Sequence, residues 1–222
     1  VSEPIRFAGV SKSYGDVVAL DDVDLELRPG EVHCLVGPNG SGKTTLLDLL
    51  LGLTRPTSGT VTVPDVPLGC SFQSPTFYPG LTVTENLDVF ARLSGCPDDA
   101  WRERLLAVFG LDRVAGQLAG TLSGGWQKKL DLALGFLKRP AYLLLDEPFS
   151  ELDDASKRRL LDFLANFCTD DRTVLVVTHH VRRFEDIVDR LTVFEGGRVR
   201  YDGAVGPDER AHDRYLDVLG LE

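Results

Sequence analysis

Gly37-Pro38-Asn39-Gly40-Ser41-Gly42-Lys43-Thr44 fits the pattern G-x-x-x-x-G-K-[ST] with no residue out of place. That pattern serves to hold a triphosphate. Several backbone N–H groups must converge on the anion, and only glycine lets a chain curl so tightly and approach so closely. A helix starting on the loop turns its positive end, roughly +0.5 of a charge, toward the phosphates. Lys43 adds a full positive charge toward the β- and γ-phosphates, and the Thr44 hydroxyl is placed to ligate Mg2+. A second constellation lies downstream. Tyr142-Leu143-Leu144-Leu145 reads as a buried strand ending in Asp146-Glu147-Pro148. An acidic residue at the carboxyl end of a strand sits where open α/β sheets bind ligands. Asp146 can hold Mg2+ from the side opposite Thr44, and Glu147 is the natural general base for an attacking water.

The elements around these residues must position them. The apolar run Val32–Val36 fits a buried parallel strand before the loop, and Leu46, Leu47, Leu49, Leu50 and Leu51 a helix after it. Residues 5–10 and 22–28 read as strands, the second alternating polar and apolar as a half-exposed antiparallel strand does. Short strands are expected at 60–63 and 69–72, the latter running to Gln73. Thr82-x-x-Glu85 is a capping box that starts a helix through Leu93. Residues 97–109 read as a helix, and Ser123 as the N-cap of another that ends at Pro140. Residues 154–168 are expected to be helical, 173–178 a strand, 181–189 a helix, 190–195 and 198–201 strands, and 208–219 an amphipathic helix. Strands alternating with helices indicate an α/β fold with a mostly parallel sheet. The expectation is one domain over 1–222. Its α/β core and antiparallel β subdomain cover 1–74 and 136–222, and a helical subdomain is inserted at 75–135.

Composition narrows the function. The formal net charge is −10 and the pI about 4.9. Nucleic-acid binding without sequence preference needs a basic surface, so no nucleic-acid partner is expected. No apolar run approaches the ~20 residues of a membrane span, and Ser2-Glu3-Pro4-Ile5-Arg6 does not read as a signal peptide. Cys34, Cys70, Cys96 and Cys168 are far apart, which argues against a zinc site or disulfide framework; each reads as a small buried hydrophobe in a reducing compartment.

The phosphate loop, Gln73, Leu122-Ser123-Gly124-Gly125, Leu145-Asp146-Glu147-Pro148, Ser150-Glu151-Leu152-Asp153 and Thr178-His179 occur in this order and at fitting spacing. From Val10 to about Gly203 the chain resembles the nucleotide-binding subunit of an ATP-binding cassette (ABC) transporter, a P-loop NTPase. The resemblance implies ATP and Mg2+ as ligands. Tyr14 would stack on adenine, and Gly40, Gly42, Lys43, Thr44 and Thr45 would cradle the phosphates. Gln73 would reach Mg2+ and the attacking water and link the site to the membrane subunit. His179 would hold the γ-phosphate. Ser123, Gly124 and Gly125 would contact the γ-phosphate bound to a second protomer, making an ATP-dependent head-to-tail homodimer with Asp153 at its interface. The protein would sit on the cytoplasmic face of the membrane through a separate permease. His33, His180 and His212 have no expected catalytic role.

The segment Tyr78–Leu87 followed by Phe90-Ala91-Arg92-Leu93 is similar to the export-type (ABC-2) branch. An importer's motor often carries an added C-terminal regulatory domain, which the residues after Gly203 are too few to form. Trp126 stands where the family often has Gln or Met. Glu151 and Asp154 replace a small residue and a proline. The span from Lys43 to Gln73 is short, which points to a trimmed antiparallel subdomain. Two other readings stay beside this one: a soluble ABC ATPase of the iron–sulfur assembly kind, with a soluble partner, and a cassette that binds ATP without hydrolysing it. Intact Lys43, Asp146, Glu147 and His179 speak against the latter.

Overall fold

The computed structural model of the chain describes residues 3–95 and 98–221; Cys96, and Pro97 within the expected helix at 97–109, lie outside the described residues. In chain order the elements are strands β1 (Ile5–Tyr14), β2 (Val17–Leu27) and β3 (Val32–Val36), helix α1 (Lys43–Leu50), strands β4 (Ser58–Thr62) and β5 (Leu68–Ser71), and helices α2 (Val83–Leu93), α3 (Asp99–Phe109) and α4 (Gly124–Phe136). Strand β6 (Tyr142–Asp146), helix α5 (Asp154–Phe167), strands β7 (Thr173–Thr178), β8 (Arg190–Glu195) and β9 (Arg198–Ala204) and helix α6 (Ala211–Leu219) follow. They form two compact units, one taking in the chain up to Asp65 and again from Cys168 onward, the other Val66–Phe167.

The first unit holds two sheets. In the antiparallel one β1 lies between β2 and β4, with Phe7 opposite both Leu25 and Val61. The strands at 5–10 and 22–28 prove longer than their alternation suggests. Thr57 N–H bonds to Ser11 O, and the Thr57 hydroxyl accepts from Ser13 N–H, so pairing continues through the polar stretch where no hydrophobic signal exists. In the other sheet β3 runs parallel to both β7 and β8, and β9 closes the edge antiparallel to β8. Every residue of β3 and β7 is buried, as continuous apolar runs require. The expected helix over 181–189 is corrected: only Val181–Phe184 forms a turn of 3-10 helix. Buried Val181, Phe184 and Val188 imitate helical spacing, but Asp189 N–H bonds to Val32 O, and Asp189 Oδ2 accepts from Val32 N–H, at 2.9 and 2.8 Å. Those bonds pull the chain onto the β3 edge, where β8 begins.

In the second unit β5 and β6 pair in parallel beneath α4. The helix approaches closely because a Cβ on Gly69 would stand 2.1 Å from Gly135 O, and one on Gly135 2.8 Å from Cys70 O. An aromatic core of Trp101, Phe109, Phe136, Phe163 and Phe167 joins α3, α4 and α5, with Phe136 4.9 Å from both Phe163 and Phe167. Helix α2 starts with the expected capping box: Thr82 Oγ1 accepts from Glu85 N–H, and the Glu85 carboxylate from Thr82 N–H. Cys34, Cys70 and Cys168 are free thiols; Cys34 is buried as expected, but Cys70 and Cys168 are only half-buried. Burial pushes the Cys70 and Cys168 thiols up to about 11 each.

Candidate functional site

The residues singled out by chemistry divide between the two units. In the first, Val36 at the end of β3 lies opposite Thr178 at the end of β7, so the loops beginning at Gly37 and His179 leave the sheet side by side. This is the carboxyl edge where α/β sheets bind ligands. Lys43 folds back over its own loop: its Nζ donates to Gly37 O at 2.7 Å and Pro38 O at 2.9 Å, and reaches Ser41 Oγ at 3.4 Å. Gly42 has φ +106°, and a Cβ there would stand 2.6 Å from Ala19 O, so no other residue fits. Gly40 (φ +76°) differs: among the described residues no atom lies within 4 Å of its Cβ position, and that side of the loop is open. The loop is braced by Gly197, whose N–H bonds to Ser41 O and whose carbonyl accepts from Asp21 N–H.

The first bond of α1 runs from Leu46 N–H to Gly42 O, which leaves the N–H groups of Lys43, Thr44 and Thr45 without an acceptor inside the helix. A loop open at Gly40, a helix starting on it and a lysine folded back over that loop fit a polyphosphate. Thr44 is exposed in that first turn. Pro38 and Asn39 are exposed, while Gly37 and Ser41 are buried in the loop's base. Tyr14 ends β1 with its ring half exposed and the Lys12 ammonium 4.8 Å from its centroid. His179 is exposed, its ring 3.7 Å from that of His180, whose N–H bonds to Thr178 Oγ1.

His33 is not at the loop's open face. It lies fully buried on β3, its Nε2 2.6 Å from Thr192 Oγ1; that hydroxyl donates to Asp202, which Arg190 grips through two nitrogens. Burial holds the imidazole down to about 4, opposed by the Asp202 charge. It is a structural histidine.

In the second unit Ser71 at the end of β5 lies opposite Leu145 in β6, so the segment carrying Gln73 and the pair Asp146-Glu147 also leave adjacent parallel strands together. Asp146 is buried and Gln73 exposed. Glu147 sits in the left-handed region at φ +46°, which a side chain rarely adopts. Ser123 occupies the N-cap position of α4 with extended backbone, but its side chain makes no capping hydrogen bond, contrary to the simple capping role expected of it. The first bond of α4 is Gln127 N–H to Ser123 O, so the N–H groups of Gly124, Gly125 and Trp126 have no acceptor within the helix. Gly125 is needed here for close approach, since a Cβ on it would stand 2.8 Å from Glu151 O; a Cβ on Gly124 would meet only the end of the Glu151 side chain, at 2.9 Å. Glu151 itself has φ +61°. Trp126 packs under the Lys129 ammonium, 4.4 Å from its ring centroid. Asp153 caps α5, accepting from Ser156 N–H at 2.8 Å, and that bond, with the Ser156 hydroxyl, holds its carboxyl down to about 2.

Motif spacing passes over two side chains on the inner face of α4. Lys128 and Asp131 are 1% and 2% exposed. Lys128 Nζ donates to Phe72 O at 2.7 Å and Asp146 O at 3.3 Å; Asp131 accepts from the Ser71 hydroxyl at 2.5 Å and from Thr76 N–H at 2.8 Å. The signal was present in the sequence as opposite charges three residues apart among Leu130, Leu132 and Ala133, where the helix had to be buried.

The family model described as ABC transporter matches residues 20–150. The chain belongs to the ABC transporter family. It is the ATP-binding subunit of such a transporter, and an ATPase. It is 33% identical to the Nod factor export ATP-binding protein I of Rhizobium etli, over 98% of this chain and 72% of that one. It is 40% identical to the aliphatic sulfonates import ATP-binding protein SsuB 1 of Nocardia farcinica, over 95% of this chain and 87% of that one. Among solved structures, a bacterial ABC transporter cassette in dimeric form superposes with a TM-score of 0.82 at 26% identity, covering 90% of this chain and 98% of that one. The same cassette in a dimeric post-hydrolysis state bound to ADP and Pi superposes with a TM-score of 0.80. No helix among the described residues is long and apolar enough to cross a membrane.

Proposed function

We propose that this ATPase subunit dimerises head to tail around ATP and drives a separate integral membrane permease from the cytoplasmic face, in the direction of export. The observation that carries the dimer is the start of α4. Ser123 stands exposed there without a capping bond, ahead of N–H groups that no helical carbonyl accepts, a ready anion site on the surface. A γ-phosphate held in the loop Gly37–Thr45 of one protomer would be met by Ser123, Gly124 and Gly125 of the other. Removing it by hydrolysis removes the bridging charge and loosens the pair.

In this reading Tyr14 stacks on adenine, the loop N–H groups and Lys43 bind the phosphates, and His179 holds the γ-phosphate. Thr44, Gln73 and Asp146 would hold Mg2+; a hydroxyl, an amide and a carboxylate are the hard oxygen donors that ion takes. Bound there, it neutralises charge on the β- and γ-phosphate oxygens. Glu147 accepts a proton from water as the water oxygen bonds to the γ-phosphorus and the bond to the β–γ bridging oxygen breaks, giving ADP and phosphate. Export is supported by the segment Tyr78–Leu93 and by the Nod factor export relatives; the sulfonate import relative supports the opposite direction.

Co-purification tests this. A tagged Glu147→Gln variant is extracted from native membranes in mild detergent with ATP and Mg2+. Recovery of a protein with several membrane spans is expected. Recovery with a soluble scaffold alone contradicts the transporter role.

A further inference from the structure

The inner face of α4 carries a buried ammonium and a buried carboxylate, Lys128 and Asp131, 4.0 Å apart. Taking two charges out of water is costly, and well-packed apolar residues of similar volume would serve stability as well or better. Stability therefore does not account for the pair, and its partners do. Asp131 accepts from the Ser71 hydroxyl, Thr76 N–H and the backbone N–H of Phe72; Lys128 donates to Phe72 O. These contacts fall on both sides of Gln73. The other Lys128 bond, to Asp146 O, fixes the peptide that joins Asp146 to Glu147. Helix α4 begins at Ser123-Gly124-Gly125, so one helix carries the anion-ready turn and grips the two catalytic segments of its own unit.

We infer that Lys128 and Asp131 are positioning residues for ATP hydrolysis, holding Gln73 and the Asp146-Glu147 peptide at a fixed distance from each other and from the first turn of α4. The inference rests on the roles proposed above for Gln73 and Glu147.

The test is steady-state ATP hydrolysis by the full chain carrying Lys128→Met, Lys128→Arg or Asp131→Asn, with ATP affinity measured separately. Lys128→Met is expected to lower kcat roughly 10- to 100-fold, the usual loss for outer partners of a catalytic group. KM and ATP affinity stay within about twofold, because the phosphate loop is untouched. Lys128→Arg, which keeps the donors, recovers most of the rate. Hydrogen exchange of residues 72–76 should quicken in Lys128→Met while α1 is unchanged. Should Lys128→Met fail to fold, Asp131→Asn, which keeps the volume and an acceptor, must show the same kcat-selective loss. Folded Lys128→Met or Asp131→Asn with wild-type kcat and only a lower melting temperature overturns the inference. In a Glu147→Gln background Lys128→Met should add less than about twofold. Wild-type turnover in Glu147→Gln would overturn the base assignment itself. A dead Glu147→Gln beside fully active Lys128→Met and Asp131→Asn variants would overturn the positioning role alone.

Discussion

The two units handle a lysine in opposite ways. In the first, Lys43 opens α1, half-buried beside a loop open at Gly40, and is held by carbonyls five and six residues away in its own chain. In the second, Lys128 is 1% exposed and is held by carbonyls 56 and 18 residues away. The first arrangement is local backbone geometry, so its residues must be contiguous and appear as a motif. The second is made by side chains reaching across a fold, so its spacing is set by packing and differs wherever packing differs. A solvated charge can be deleted at little cost to folding, but deleting one of a buried pair leaves the other stranded.

Breaking the pair gives the largest stability effect. Asp131→Ala leaves the Lys128 charge buried without its partner and should cost about 3–5 kcal/mol, read as a fall in the urea midpoint. A loss below about 1 kcal/mol would erase the contrast between the units.

The buried charge-sensitive group of the first unit, His33, comes next. Its imidazole titrates near 4 in the folded chain against 6.5 in the unfolded one, held down by burial and by the Arg190 and Arg28 charges, against the opposing pull of Asp202. Between those values the unfolded chain binds more protons, so stability falls as pH falls from about 6.5 to about 4, with no further loss from His33 below that. The total is on the order of 3 kcal/mol. Urea midpoints from about pH 7 to about pH 4 should show this slope, and His33→Gln should flatten it. Equal slopes in both proteins would contradict the assignment.

Lys43→Ala sharpens the comparison from the other side. It removes charge-assisted bonds worth about 1.5–3 kcal/mol, so ATP affinity by calorimetry should fall roughly 10- to 100-fold. The urea midpoint should barely move. Unchanged affinity would count against the phosphate loop. The smallest effect expected is that of Thr82→Ala, which removes half of the capping box of α2 and should cost about 1 kcal/mol, read by thermal unfolding. No change would mean that this helix end draws nothing from its cap.

The same contrast explains what could be read from the sequence. The phosphate loop, the acidic pair after Leu145, the capping box and the mostly parallel sheet all declare themselves within a few residues. The extension of β1 through Ser11-Lys12-Ser13 did not, because those residues pair by backbone and carry no hydrophobic signal. The stretch 181–189 misled, since Val181, Phe184 and Val188 have helical spacing while Asp189 is bonded to Val32. The left-handed backbone of Glu147 and Glu151 is not announced by the residue type, since a glutamate rarely adopts it. The motifs announce themselves by contiguity; Lys128 and Asp131 leave in the sequence only opposite charges three residues apart on a helix face that must be buried, and their partners at Phe72, Thr76 and Asp146 are set by tertiary packing.

The central claim is that Glu147 drives hydrolysis of an ATP that also bridges two protomers. The most direct test follows Glu147→Gln in ATP, measuring turnover and, by light scattering, molecular mass. A general base contributes roughly 10²–10⁴ in rate. The account predicts turnover lost by that factor and a dimer that forms with ATP and dissolves when ATP is removed. Wild-type turnover, or a monomer at saturating ATP, would contradict it.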